Sequence, residues 1–412
     1  MRYFRLIFLG FIILLHPFVG AAQSILVSPN GEVTSLTEAI RLATEGQHIL
    51  IEPGVYVEND IVVDKPVHIQ GQPGAILDGN EHPILLIKAD SVTVEGLLFR
   101  NVGTSFVDDR AALKVDEGAH CRIKNNHFED TFFAIYLAKT AHCEIHQNHI
   151  QGHKASESRS GNGIHLWYSK NITITENEVR GHRDGIYLEF VEDSMVKQNI
   201  SEHNMRYGLH FMFSDRCSYY ENMLRYNDAG VAVMYTKHVD IIGNTFEGNW
   251  GSAAYGLLLK DITDSQIQDN LFSLNTIGIY AEGSDRMEVK HNSFIDNGWA
   301  LKIMANSIDN TFTENNFIAN SFDVATNSRQ NNSLFTGNYW DKYKGYDLDR
   351  DGKGDVPFRP VTLYSLMIEK NEPTIILLNS FFIELLNAAE RVLPAITPET
   401  LIDHEPATER IL

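Results

Sequence analysis

The chain reads as an all-β protein, a right-handed parallel β-helix solenoid with an N-terminal helical cap and a C-terminal helical tail, and three observations lead there. Asn126, Asn148, Asn177, Asn199, Asn222, Asn244, Asn270, Asn292, Asn315 and Asn338 recur through the middle of the chain, most of them 22 or 23 residues apart. Each carries an apolar residue three before it and usually another two after it, as Ile123, Asn126 and Phe128 or Val289, Asn292 and Phe294 do. A strand then opens about eight residues further on, usually with glycine, and alternates as in Gly185-Ile186-Tyr187-Leu188. Alternation of period two marks a half-buried strand, and a repeat of this length without a helical pattern is one coil of a solenoid. Leucine-rich repeats share the period but need leucines at fixed spacings and a helix-like segment per repeat, which this chain lacks. Stacked asparagines can bond amide to amide along the axis, so the column serves the fold and carries no chemistry.

Taken from the N-terminus, residues 1–22 read as a secretory signal. Arg2 and Arg5 precede the apolar run from Leu6 to Leu15, and Gly20, Ala21 and Ala22 offer a cleavage point. Export is therefore expected. Loss of Arg2 and Arg5 takes the formal charge from −20 to −22, which excludes a phosphate-binding surface and with it nucleic acid. The expected plan is a β-helix over 23–342, an acidic calcium-type loop over 343–361 and a tail over 362–412. Thr34 and Ser35 with Glu38 form a capping-box pattern before a short amphipathic helix, the N-terminal cap. Apolar segments at 48–51, 61–69 and 92–99, separated by turn signals such as Pro53-Gly54 and Asp78-Gly79, are early and less regular coils.

Cys121, Cys143 and Cys217 each lie five residues before a ladder asparagine, on the inward parity of Ile123, Ile145 and Tyr219. Cys121 and Cys143 fall on successive coils, about 4.8 Å apart at Cα, so a disulfide or two buried thiols both fit. Cys217 is three coils on, roughly 14 Å away, and cannot join them at a metal.

Departures from the repeat point to the working face. The glycine strand starts 15 residues after Asn148 and 12 after Asn244, against eight or nine in most coils. These insertions, 153–162 and 249–255, fall at one corner, where solenoids commonly bind. Between them the outward positions carry His165 and Trp167, then Tyr187 and Glu189, then His210 and Met212, then Met234. Met212 and Met234 share one outward position on adjacent coils, with His210 on the same strand and His203 and Met205 on the preceding turn. Thioether and imidazole together favour Cu(I), held transiently, whereas methionine as interface filler is the bland reading. His165, Trp167, Tyr187 and Glu189 also suit a groove for a sugar chain, which makes a carbohydrate-binding or polysaccharide-cleaving β-helix the alternative. Cleavage needs a close carboxylate pair, and Glu189 and Glu282 are four coils apart, so no enzyme is expected. Arg122-Ile123-Lys124 resembles a polygalacturonase motif but lies on a repeat strand without the acidic motifs that should precede it.

The loop Asp347-Leu348-Asp349-Arg350-Asp351-Gly352-Lys353-Gly354-Asp355 places carboxylates at positions 1, 3, 5 and 9 and glycine at 6, as calcium loops do. Position 12 is Phe358 rather than a bidentate glutamate, so it is not an EF-hand, and a bound calcium would pin the end of the solenoid. In the tail, 374–392 mixes Phe381, Phe382, Leu385 and Leu386 with Asn379, Glu384, Asn387 and Glu390 between Pro373 and Pro394. Too polar to span a membrane, it reads as an amphipathic helix that docks on a membrane partner, or else packs over the open end of the β-helix.

With the exported solenoid, the segments His210-Phe211-Met212-Phe213-Ser214 and Gly230-Val231-Ala232-Val233-Met234-Tyr235, and Asn338-Tyr339-Trp340-Asp341 running into Gly345-Tyr346-Asp347, the chain resembles the NosD family of nitrous oxide reductase maturation proteins. The likeness covers nearly the whole mature chain. It implies a non-catalytic periplasmic factor of denitrifying bacteria, held at the inner membrane by an ABC transporter partner and working with a copper chaperone to supply copper to nitrous oxide reductase.

Overall fold

The computed structural model describes residues 24–105, 107–152, 156–251, 254–328, 332–378, 380–393 and 401–411. The signal segment 1–22 lies outside the described residues, as do 153–155 and 252–253 of the two insertions. Three parallel sheets of 14, 13 and 12 strands run the length of a solenoid in which every strand pairs with its counterparts one coil before and after. The first sheet runs from Ile25–Val27 to Leu334–Thr336, the second from Gly54–Val57 to Tyr339–Trp340, and the third from Ile61–Val63 to Phe322–Ala325.

The repeat works through its corners. Between the first and second sheets a single left-handed residue precedes each ladder asparagine, as Gln147 (φ 53°), Gln198 (φ 56°) and Glu221 (φ 54°) do. The asparagine then turns inward and is essentially unexposed. Asn199 donates its backbone N–H and its Nδ2 to Asn222 Oδ1 (2.9 and 3.0 Å), and Nδ2 also reaches the Ile174 carbonyl at 2.9 Å. Every buried amide on the column is thereby satisfied by the next. Glycine opens the third-sheet strands because adjacent backbones approach there: a Cβ on Gly230 would stand 2.5 Å from the Gly256 carbonyl oxygen.

Inside, one aliphatic and aromatic core fills the whole length, with rows of stacked rings such as Phe246, Phe272, Phe294, Phe317 and Trp340 at 4.0 to 5.0 Å. Cys121, Cys143 and Cys217 are buried free thiols, which removes the disulfide option. The expected segment at 61–69 is two strands, Ile61–Val63 and Val67–Gly71, and that at 92–99 divides into Thr93–Glu95 and Leu98–Val102 around left-handed Gly96.

Both ends are closed. Helix α1 (Leu36–Leu42) buries Leu36, Ala39 and Ile40 over the first coil, with the Ser35 hydroxyl accepting the Glu38 N–H as its cap. At the far end the ladder finishes on an aspartate. Asp403, fully buried, takes Asn338 N–H, Asn338 Nδ2 and Trp340 Nε1 on Oδ2 at 3.1, 3.0 and 3.1 Å. Residues 401–411 thus occupy the place of the next coil, and the acidic loop is tied to them through Phe358 and Asp403. Helix α2 (Leu363–Lys370) lays Tyr364 and Ile368 on Ile277, Trp299 and Phe322 of the third sheet, and α3 (Phe381–Val392) adds Ile383 to that cluster. The two readings of the tail therefore divide, and its last residues and α2 are the end cap.

Candidate functional site

The outward columns of the third sheet stand as the alternation requires. Tyr136, His165, Tyr187 and His210 align rung by rung, and beside them Trp167, Glu189, Met212, Met234 and Lys260. Met212 and Met234 are direct partners, both half-buried. Tyr187 donates its hydroxyl to Met212 Sδ at 3.7 Å, and burial, then Glu189 and Asp184, push that phenol up to about 12, so it stays a donor at neutral pH.

His210 faces out of the barrel yet is only 5% exposed. Its ring is wedged between Tyr187 and Tyr207, with centroids at 4.8 and 4.7 Å. Nδ1 lies 3.5 Å from Asp184 Oδ2, at ion-pair range but outside hydrogen-bond geometry, and Nε2 has no partner among the described residues. Asp184 is fully buried and also takes Arg206 on both oxygens at 2.9 and 2.6 Å. Burial alone would raise this carboxyl, but the His210 and Arg206 contacts outweigh it and hold it below its ordinary value. A carboxylate facing one ring nitrogen while the other stays free is how metal-binding histidines are oriented. Sequence reasoning missed Asp184, although Asp184-Gly185 opens a strand whose glycine it had marked.

The remaining expected copper residues do not gather here. His203, exposed and stacked on Tyr226 at 5.3 Å, and Met205, half-buried, lie at the opposite end of the strand Tyr207–Met212, at the corner between the second and third sheets. The strand separates them from Met212 by roughly 20 Å.

The expected sugar groove is filled by its own side chains. His165 sits against Tyr136 and Tyr187 at 4.5 and 4.9 Å, and burial, with Arg183 adding to it, lowers its pKa to about 3. Trp167 packs on the cluster of Phe133, Tyr136 and Ala138 and edge-on to Tyr168. Glu189 is half-buried between Trp167 and Met212. Immediately beside this column runs a feature the sequence reading passed over: Tyr168, Phe190, Phe213 and Tyr235 stack at 4.6, 5.1 and 5.0 Å along the corner, with Tyr168, Phe213 and Tyr235 exposed. All four are left-handed, and neighbouring coils place Lys139 and Asp261 there instead. The fold does not require these aromatics. They flank the methionine pair as an apolar ridge.

In the acidic loop, carboxylate oxygens of Asp347, Asp349 and Asp351 come within 4.8 Å of one another, a donor set that fits a hard cation. Asp355 is not one of this convergent group, and its Oδ2 accepts the Leu348 N–H at 2.7 Å. On α3, Phe381, Phe382 and Leu385 are exposed at 78, 53 and 58%, whereas Leu386 turns inward against the second apolar cluster. Among the described residues no helix is long and apolar enough to cross a membrane.

Residues 147–345 match the profile of the family described as "Periplasmic copper-binding protein (NosD)", a span that contains the methionine coils. A "Probable ABC transporter binding protein NosD" of Pseudomonas aeruginosa is 31% identical over 86% of both chains. The chain belongs to the NosD family. A NosD relative of the same description from Stutzerimonas stutzeri is 28% identical over 95% of both chains. Among solved structures, a family 28 exopolygalacturonase of Yersinia enterocolitica shares the fold with this NosD-family chain, at a TM-score of 0.58 and 10% identity over 78% of this chain and 79% of that one.

Proposed function

We propose that the protein is a periplasmic copper-handling factor that takes up Cu(I) transiently on Met212, Met234 and His210 and passes it towards nitrous oxide reductase, in company with a copper chaperone and an ABC transporter. The observation that carries this reading is the buried His210 imidazole with Asp184 at one nitrogen and the other unpartnered, on the strand that ends in the methionine pair. Soft thioethers with an imidazole nitrogen favour Cu(I) over hard ions, and family membership supports copper as cargo. The exposed apolar surface of α3 lies on the same outer face as the methionine pair. It is about three coils further on, roughly 14 Å along the axis, and is the surface proposed to dock the transporter's membrane subunit. Periplasmic export by the segment 1–22 and attachment at the inner membrane complete the reading.

Competition for Cu(I) against a chromogenic chelator tests it. Met212→Leu with Met234→Leu keeps the volume and removes both donors, so at least a tenfold loss of affinity is expected, with reductase of lowered copper content from cells carrying the variant. Parental affinity together with fully loaded reductase would remove these residues from the pathway. Against the carbohydrate alternative, the His165 and Tyr187 rings of the expected groove are packed on one another at 4.9 Å.

A further inference from the structure

Five residues after six of the ten ladder asparagines, a second amide column runs along the corner between the second and third sheets. Asn204, Asn227, Asn249, Asn275, Asn297 and Asn320 are all buried, and the first five each donate the backbone N–H to the next Oδ1 at 2.9 to 3.2 Å. His182 heads this column and gives its own N–H to Asn204 Oδ1 at 3.2 Å. In the Asn126 coil the same place is held by Thr131. The repeat asks for asparagine at both, and neither is asparagine.

Both departures line one cavity of about 350 Å³, between the corner at Asn101 to Thr104 and the insertion that carries Arg159 and Ser160. Thr104 ties the two by donating its hydroxyl to the Arg159 carbonyl at 3.0 Å. Thr131 Oγ1, Ser160 Oγ and His182 Nε2 are buried and have no hydrogen-bond partner among the described residues. They belong to residues 4, 7 and 1% exposed. The His182 ring is seated close against backbone: a Cβ on Gly152 would stand 2.8 Å from its Cδ2. Burial lowers its pKa to about 4, against a smaller opposite effect of the Gly161 and Phe132 carbonyls, so the ring is neutral at physiological pH. Three buried polar groups left unsatisfied around one opening are costly unless a ligand meets them.

The chemistry of the lining narrows what that ligand is. Two hydroxyls and a neutral imidazole each donate or accept, which matches ligand hydroxyls that do the same. Glu81 and Asp130 disfavour an anion, and Arg159 opposes a free cation. The closely convergent carboxylates among the described residues are in the acidic loop, not here. The volume is at the small end of the ~300–1,000 Å³ usual for ligand pockets, and Phe132 adds an apolar wall. We propose that this corner is a carbohydrate subsite that binds one uncharged pyranose unit through Thr131, Ser160 and His182, separately from the copper-handling face.

Saturation-transfer NMR on the mature chain, with methyl pyranosides of a neutral hexose and an N-acetylhexosamine and their tetrasaccharides as probes, and a methyl uronide as the anionic control that should receive none, tests this. At least one probe should receive saturation. His182→Asn restores the residue that the column carries elsewhere, so its thermal midpoint should match the parent while binding weakens tenfold or more. Ser160→Ala should weaken binding likewise, and Met212→Leu with Met234→Leu should bind as the parent does, which keeps this result independent of copper. No transfer to any probe, undiminished binding by both His182→Asn and Ser160→Ala, or displacement of the bound sugar by inorganic phosphate or calcium would overturn the assignment.

Discussion

At the scale of single residues, the two amide columns show how one residue type is used for fold and then released for function. Asn222 is 2% exposed and makes bonds to Asn199, Asn244 and the Val196 carbonyl. Asn222→Ala strands donors on one side and acceptors on the other, at about 1–3 kcal/mol for each buried group left unpaired. A loss of at least ~2 kcal/mol in urea unfolding is therefore expected, whereas His182→Asn should be neutral or stabilising. At the proposed copper residues, Asp184→Asn keeps the shape but weakens the orienting contact to His210, and Cu(I) affinity should fall about 10- to 100-fold. An unchanged competition curve would leave Asp184 a partner of Arg206 alone. The first column was legible in sequence because its asparagines sit in a fixed apolar frame. The second was not, since His182 and Thr131 interrupt it and insertions break its spacing. The outward phase of His210 and Met212 was legible too, but not the burial of His210, which depends on Tyr207 of the same coil and Tyr187 of the coil before packing on its ring.

At the scale of elements, the tail separates into parts with different tasks. Residues 401–411 complete the solenoid, α2 covers the last strands of the third sheet, and α3 turns Phe381, Phe382 and Leu385 outward. Phe381→Ser with Phe382→Ser and Leu385→Ser should leave the circular dichroism and the thermal midpoint within error and abolish co-purification with the transporter. Retained co-purification would move the docking surface to the aromatic ridge. A truncation after Pro360 would also delete Asp403 and so should destabilise the last coil rather than report on docking. Sequence reasoning saw the amphipathic helix but not this closing layer: Asp403 follows Asn338 by 65 residues in a stretch that carries no repeat. The acidic loop packs Phe358 on Trp340 at 5.1 Å, so calcium held by Asp347, Asp349 and Asp351 should raise the midpoint of thermal unfolding relative to excess chelator. Equal midpoints in both conditions would make the loop an acidic turn.

At the scale of the whole molecule, stability should fall in acid earlier than the carboxylates alone dictate. His165 and His182 have folded values of about 3 and about 4, below the ordinary 6.5. Above that value both are neutral whether folded or not, and nothing is lost. As the pH falls below it the unfolded chain takes up protons that the folded one refuses, so stability declines until the folded values are reached. The expected loss by pH 5 is on the order of 1–2 kcal/mol for each histidine, and His182→Asn should remove one share, measured as urea midpoints from pH 8 to pH 5. A flat profile over that range would show that both rings protonate in place. The closing layer has a consequence for how the protein is made. A chain that folds as it emerges N-terminus first leaves its growing edge with unpaired strand amides until the final residues arrive, because Asp403 is the group that ends the column. Such an edge recruits any other strand. A ribosome that stops a few dozen codons early would release not a shorter working protein but a sticky fragment, built to accept another coil and obliged to find it in a neighbour.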